Sequence, residues 1–314
     1  MKTDAFAPTD LAASVLAVPP LARDASMQVS ANENRRLLAH LRRGGVTTVL
    51  YGGNANIYHI EDDQYEVLLD SLPEWVDDGT WVIPSIGPSY GSLVQRARMV
   101  GARGYPTAMA LPFQGPSTAE GTATGLRRAA EVLGAPLILY IKWDGYLPPP
   151  LVGELVDDGT VAAIKYAVVR EDPARDDYLS ALLDEVDAAR IVSGIGERPA
   201  LVHLERFGLP SFTSGSVCVA PAASTSLLRA LAGGQRSEAE AIREWFLPLE
   251  DLRDAHGPIQ VLHHAVSDAG VADMGPMLPL LSDLSDKLRR IIQEAASELL
   301  KVDRERAEPH PAAR

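Results

Sequence analysis

Val161-Ala-Ala-Ile-Lys165 is a short apolar run that ends in a lysine. Only five of the 29 Lys and Arg residues are lysines (Lys2, Lys142, Lys165, Lys287 and Lys301), so lysine is not this chain's ordinary choice of cation. Burial disfavours an ammonium and lowers its proton affinity, and a neutral amine can attack a carbonyl to form a Schiff base. The plain alternative is a strand-end lysine whose stem packs while its head reaches water.

Outward from that run, strand-like and helix-like segments alternate. Strands are expected over 13–18, 46–51, 81–86, 107–111, 136–141, 161–165 and 190–193, with the eighth at 211–214 or 216–219. Helices are expected over 32–43, 61–75, 92–100, 121–133, 151–156 and 176–189. Residues 1–12 are mixed in character and expected to be loosely held. Eight such units over about 220 residues predict an α/β fold, a single (β/α)8 TIM barrel. A doubly wound open sheet is the alternative, though it seldom needs eight such regular units.

After Pro221 the pattern becomes purely helical. Segments 224–231, 237–252, 260–269 and 280–301 carry apolar residues at three- and four-residue spacing, broken by Gly233-Gly234, Gly257-Pro258 and Gly270. The expected organisation is a barrel with its N-terminal extension over 1–222, a C-terminal helical domain over 223–304, and a disordered tail over 305–314.

With 314 residues, 46% hydrophobic and 23% charged, the composition is that of a globular protein with a large core. The formal net charge of -13 argues against a nucleic-acid partner, because phosphate binding needs clustered excess Lys and Arg. Cys218 is the single cysteine, so no internal disulfide can form. The opening residues lack a long apolar region and no run approaches a membrane span, so neither secretion nor membrane insertion is expected and the cytoplasm is the default.

In a barrel the chemistry sits where the strands end. Those ends carry Tyr51-Gly-Gly-Asn54, Ser85, Pro112-Phe-Gln114, Tyr140 and Lys142, Lys165, and Ser193-Gly194. Tyr140 and Lys165, on adjacent strands, set a proton donor beside an amine. Lys142 shares the parity of Tyr140 and either points toward the pocket or forms a surface pair with Asp144. His59 lines the pocket or is an ordinary loop histidine. No metal site is expected: His263 and His264 diverge by about 100° on a helix. Gly194-Ile-Gly196 lacks the third glycine of a dinucleotide motif.

Together these segments resemble the dihydrodipicolinate synthase and N-acetylneuraminate lyase family of Schiff-base aldolases. The resemblance is carried by the Gly-Gly loop before Ile60, Leu139-Tyr140, Ala163-Ile-Lys165, Ser193-Gly194, Gly215-Ser-Val217 and Leu278-Pro-Leu-Leu281. It implies a barrel with three C-terminal helices, assembled as a homodimer or homotetramer, and no cofactor. It implies Lys165 as the imine-forming lysine and Tyr140 as the proton relay. Gly53 and Asn54 fall where the family has a hydroxyl pair gripping the substrate carboxylate. Ser85, Gln114, Lys142, Ser193, Gly194 and Val217 complete the substrate-binding set.

The departures concern the substrate. Gln114 stands where the synthases place an interface tyrosine, Asn56 stands where a glutamate is usual, and no arginine follows Tyr140. The expectation is a class I lyase, aldolase or dehydratase acting on pyruvate or a related 2-oxo or sugar acid, and not a lysine-pathway synthase. The alternative is a non-catalytic relative that binds a small molecule.

Overall fold

The computed structural model of the chain describes residues 1–307. Its strands are β1 (Leu16–Ala17), β2 (Thr48–Tyr51), β3 (Trp81–Ile86), β4 (Ala108–Ala110), β5 (Leu137–Ile141), β6 (Val161–Tyr166), β7 (Ile191–Ser193) and β8 (Thr213–Ser214). All neighbours pair in parallel in the order β7-β6-β5-β4-β3-β2-β1-β8. A parallel bridge from Ser193 to Phe212, with the Ser193 N–H donating to the Ser211 carbonyl at 3.1 Å, joins the two edges into a barrel. Every strand residue is buried. A parallel sheet covered on both faces must be apolar on both, hence continuous apolar runs rather than alternation.

Around the barrel lie α1 (Ala31–Arg43), α2 (Asp62–Trp75), α3 (Tyr90–Gly101), α4 (Ala119–Leu133), α5 (Pro149–Asp157), α6 (Asp177–Glu185), α7 (Ala200–Phe207) and α8 (Pro221–Ala232). The chain continues into α9 (Arg236–His256), α10 (Pro258–Asp268) and α11 (Asp286–Ala307). Side chains cap several helix starts: Ser89 for α3, Thr118 for α4 and Asp176 for α6 each accept a first-turn N–H. No helix among the described residues is long and apolar enough to cross a membrane.

Several boundaries differ from the sequence reading, each for a local reason. The eighth strand takes the first of its two expected positions, and Ser216–Cys218 is a 3-10 turn. α6 stops at Glu185 because Val186 is extended, and a separate 3-10 turn spans Ala188–Arg190. α7 has no counterpart in the sequence reading; it is eight residues long and is closed by Gly208 at φ 71°, where the chain needs a left-handed residue. The last helix begins at Asp286, behind Ser285, whose Oγ accepts the Leu288 N–H, so Leu280 and Leu281 lie in the preceding loop.

The N-terminal segment is not loose. Phe6 is buried edge-on against Trp81 at 5.7 Å, Leu11 is buried, and the Lys2 N–H donates to the Thr80 carbonyl at 2.9 Å. Residues 305–307 belong to α11 rather than to a tail, and the rest of the expected tail lies outside the described residues. The 222/223 division falls in the first turn of α8.

Candidate active site

Tyr140 and Lys165 are register partners on β5 and β6. Equal height on adjacent parallel strands turns both side chains to the same face, and the Lys165 Nζ sits 4.5 Å from the centroid of the Tyr140 ring. Lys165 is 5% exposed and Tyr140 is 8% exposed. Burial, and next the charge of Lys142, bring the Lys165 amine down from 10.5 to about 7. At pH 7 that leaves roughly half of it neutral, against about three parts in ten thousand for an ordinary lysine. The Tyr140 phenol moves the other way: burial, helped by Tyr58, holds it protonated, so it is a proton donor at rest.

Lys142 lines the same cavity, and burial lowers its pKa. The surface pair with Asp144 does not form. Asp144 is held by the Arg170 guanidinium, which also donates to Asp176 at 2.7 Å, and Asp176 accepts the Tyr166 hydroxyl at 2.7 Å. Among the described residues Lys142 has no carboxylate within ion-pair distance, so its charge faces the cavity mouth uncompensated.

The loop after β2 makes a 3-10 turn, Gly53–Ala55, whose leading N–H groups have no acceptor within the turn. Gly53 and Asn54 line the cavity, and the Asn54 side-chain amide donates to the Val18 carbonyl at 2.9 Å. Two buried arginines fix this loop by its carbonyls. Arg23 donates to Ala55 at 3.2 Å; Arg96 donates to Ile57 and Ile60, each at 2.9 Å, while pairing with Asp62 at 3.0 Å. Asn56 is 2% exposed in a left-handed conformation, and both polar atoms of its side chain lack a partner.

Sequence reading singled out His59 here, and the neighbour is the residue that counts. Tyr58 lines the cavity, lies near enough to Tyr140 to raise its pKa, and is itself pushed up to about 12, mainly by burial. His59 is exposed outside the cavity. The Tyr58 ring lies over the glycine turn, 3.7 Å from where a Cβ on Gly53 would stand, a placement that no spacing in the sequence signals.

The cavity measures about 580 Å³. Its β7 and β8 walls are Gly194–Gly196, Thr213 and Gly215, and Arg253, Asp254, Pro258, Gln260 and Leu281 reach over it from the C-terminal region. Four expected residues stand elsewhere. Ser85 is fully buried beneath Gly52, its Oγ without a partner. Gln114 is exposed in the loop after β4. Ser193 is fully buried and spends its hydroxyl on the His203 Nδ1 of α7 at 2.8 Å. Val217 is buried in the 3-10 turn, its N–H donating to the Ser214 Oγ at 2.9 Å. Of the last two segments it is Gly194 and Gly215 that reach the cavity, because a wall of backbone is what glycine leaves open. The adjacent His263 and His264 point to different surroundings: His263 bonds the Gly275 carbonyl at 2.9 Å, and the His264 Nε2 lies 3.5 Å from Asp283 with no hydrogen-bond partner among the described residues.

An eight-stranded parallel barrel with a buried lysine and a tyrosine paired at the ends of strands six and five, roofed by C-terminal helices, has the form of the class I aldolase-type lyases. The chain belongs to the dihydrodipicolinate synthetase family, whose model matches residues 14–295. Among solved structures, dihydrodipicolinate synthase from Oceanobacillus iheyensis is 21% identical with a TM-score of 0.80, the match covering 92% of this chain and 97% of that one. The synthase from Bacillus clausii is 19% identical with a TM-score of 0.80, over 92% and 98%. A monomeric dihydrodipicolinate synthase variant is 17% identical with a TM-score of 0.81, over 93% and 98%. At such identities the likeness is one of fold. No curated protein matches the chain.

Proposed function

We propose that the protein is a lyase that captures the ketone of a 2-oxo acid as an imine on Lys165. The neutral amine adds to the carbonyl carbon, the carbinolamine loses water, and the iminium withdraws the electron pair of a bond to the neighbouring carbon, leaving an enamine. Tyr140 supplies a proton to the departing hydroxyl and moves protons at the enamine carbon. The observation that carries this reading is the convergence of the Lys165 amine and the Tyr140 ring, 4.5 Å apart, on one cavity. A non-catalytic binder would leave the lysine in a filled core or in bulk water, and its place on the cavity wall supports catalysis instead.

Within that reading the N–H groups of Gly53 and Asn54 hold the substrate carboxylate, and Tyr58 supplies within one chain the second phenol that position 114 lacks. Lys142 receives a second anionic group on the substrate, because no carboxylate among the described residues answers its charge. The cavity has room for far more than a three-carbon acid, which favours cleavage or dehydration of a longer sugar acid. Assembly as a homodimer or homotetramer belongs to the same proposal, and light scattering decides it.

The test is borohydride reduction in the presence of pyruvate and a panel of longer 2-oxo acids, followed by peptide mass analysis. The expected result is a reduced adduct on the peptide that contains Lys165. No adduct there with any 2-oxo acid would overturn the reading.

A further inference from the structure

The β7 wall of the cavity is backed by two carboxyl groups. Gly196, at φ 94°, lets the backbone lie against them: a Cβ there would stand 2.2 Å from the Glu250 Oε1 and 2.5 Å from the Arg253 Nη1. Glu197, next in the loop, and Glu250, on α9, are both fully buried. Glu250 accepts the N–H groups of Glu197 at 3.0 Å and Arg198 at 2.8 Å, and the Arg253 Nη1 at 2.8 Å. Glu197 accepts the hydroxyls of Ser214 at 2.8 Å and Ser224 at 2.6 Å, and the charge of Glu250 lies close enough to raise its pKa. The cluster therefore ties together the cavity wall, β8, α8 and α9.

Its charges do not balance. Arg253 serves Glu250 and, at 2.9 Å, also Asp254. Arg198 turns its guanidinium outward to Asp251 and Asp254. On the β8 side stands the Cys218 thiol, which burial keeps protonated. No cation among the described residues bonds to Glu197, and a buried carboxylate without one is strongly disfavoured. Two fully buried carboxyl groups in one cluster, with a single buried guanidinium to answer them, favour a proton on one of the two.

We propose that Glu197 and Glu250 share one proton, and that as positioning residues they hold Gly194–Gly196 and Arg253 in the shape that receives the substrate. Glu197 carries the proton: burial, and next the charge of Glu250, raise it to about 8. Burial raises Glu250 as well, but Arg253 and two backbone N–H groups answer its charge, so of the pair it is the one that holds the negative charge. When the proton leaves, two carboxylates face each other in a dry site, and the grip on the wall is what gives way.

The activity readout rests on the imine proposal; the stability readout does not. With the full chain, the pyruvate concentration that half-saturates borohydride trapping is measured from pH 6 to 10 in wild type and Glu197→Gln, whose amide is neutral throughout. In wild type that concentration should climb up to about tenfold per pH unit above 8, with trapping at saturation little changed there, and in Glu197→Gln it should stay flat above 8, both proteins sharing the change below 7 that Lys165 imposes. Ser224→Ala, which removes a hydroxyl that favours the ionised form, should move the climb to higher pH. Thermal unfolding supplies the second arm. The unfolded chain loses this proton near 4.5 and the folded one near 8, so wild type should lose stability relative to Glu197→Gln as pH rises through that window. Superimposable pH courses in that arm overturn the proposal even if nothing traps, and an unmoved climb in Ser224→Ala overturns it even if Glu197→Gln fails to fold. Absence of any adduct, with the stability difference present, would sink the imine reading alone.

Discussion

The β5–β6 wall and the β7 wall of the same cavity are built on different principles. On the first, the two side chains to which the imine proposal gives the chemistry are brought together by strand pairing alone: Tyr140 opposite Lys165. On the second, glycine backbone faces the cavity, and what holds it comes from Glu250, 53 residues further along the chain. A side chain whose direction follows from strand alternation can be reached from sequence. A supporting group that arrives only when a distant helix docks cannot.

Substitutions should separate the two walls. The largest effect belongs to Lys165→Met: loss of the trapped adduct and a fall in turnover of about 10³-fold or more. The same variant should gain stability on the order of 2–4 kcal/mol below pH 7. There the folded wild type must either charge a buried amine or forgo a proton that the unfolded chain keeps up to about 10.5, and the gain should fade as pH rises toward that value. Thermal melts across pH 5–10 check it. Tyr140→Phe keeps the ring and removes the donor, so kcat should fall about 10²-fold while the adduct still forms.

Turnover in wild type should rise tenfold per pH unit up to about 7 and then level as Lys165 becomes neutral. Lys142→Gln should move that rise to higher pH, since the Lys142 charge is one of the two causes of the low value. It should also raise KM about tenfold for a 2-oxo acid with a second anionic group but not for pyruvate. The smallest effect is Ser193→Ala, which should cost about 1 kcal/mol of stability through the lost bond to His203 and leave KM unchanged. A KM change there would return Ser193 to the cavity and blur the contrast between the walls.

Much of the fold was legible because a covered parallel sheet reads as apolar runs separated by helix-length segments. What escaped were short elements and spent side chains. The element that escaped is α7, only eight residues long; β1 was expected over 13–18 and pairs over just Leu16–Ala17. Ser85 and Ser193 sit at strand ends, where a hydroxyl reads as functional; burial beneath Gly52 claims one and His203 on α7 claims the other. Tyr58 was passed over for His59 because a loop has no fixed alternation to say which neighbour turns inward. The Glu197–Glu250 pair was invisible because acidic residues on a loop and a helix ordinarily read as solvated surface.

The two arginines that grip the loop after β2 carry a thermodynamic consequence. Arg23 and Arg96 hold the carbonyls of Ala55, Ile57 and Ile60 in the free protein, so the proposed docking of a carboxylate on Gly53 and Asn54 would leave little chain freedom to be lost. Immobilising a mobile loop commonly opposes association entropically. Here calorimetry should record carboxylate capture as dominated by heat released, with only a slight entropic opposition, and Arg96→Met should shift that balance by loosening the receptor rather than by altering any group that touches the ligand.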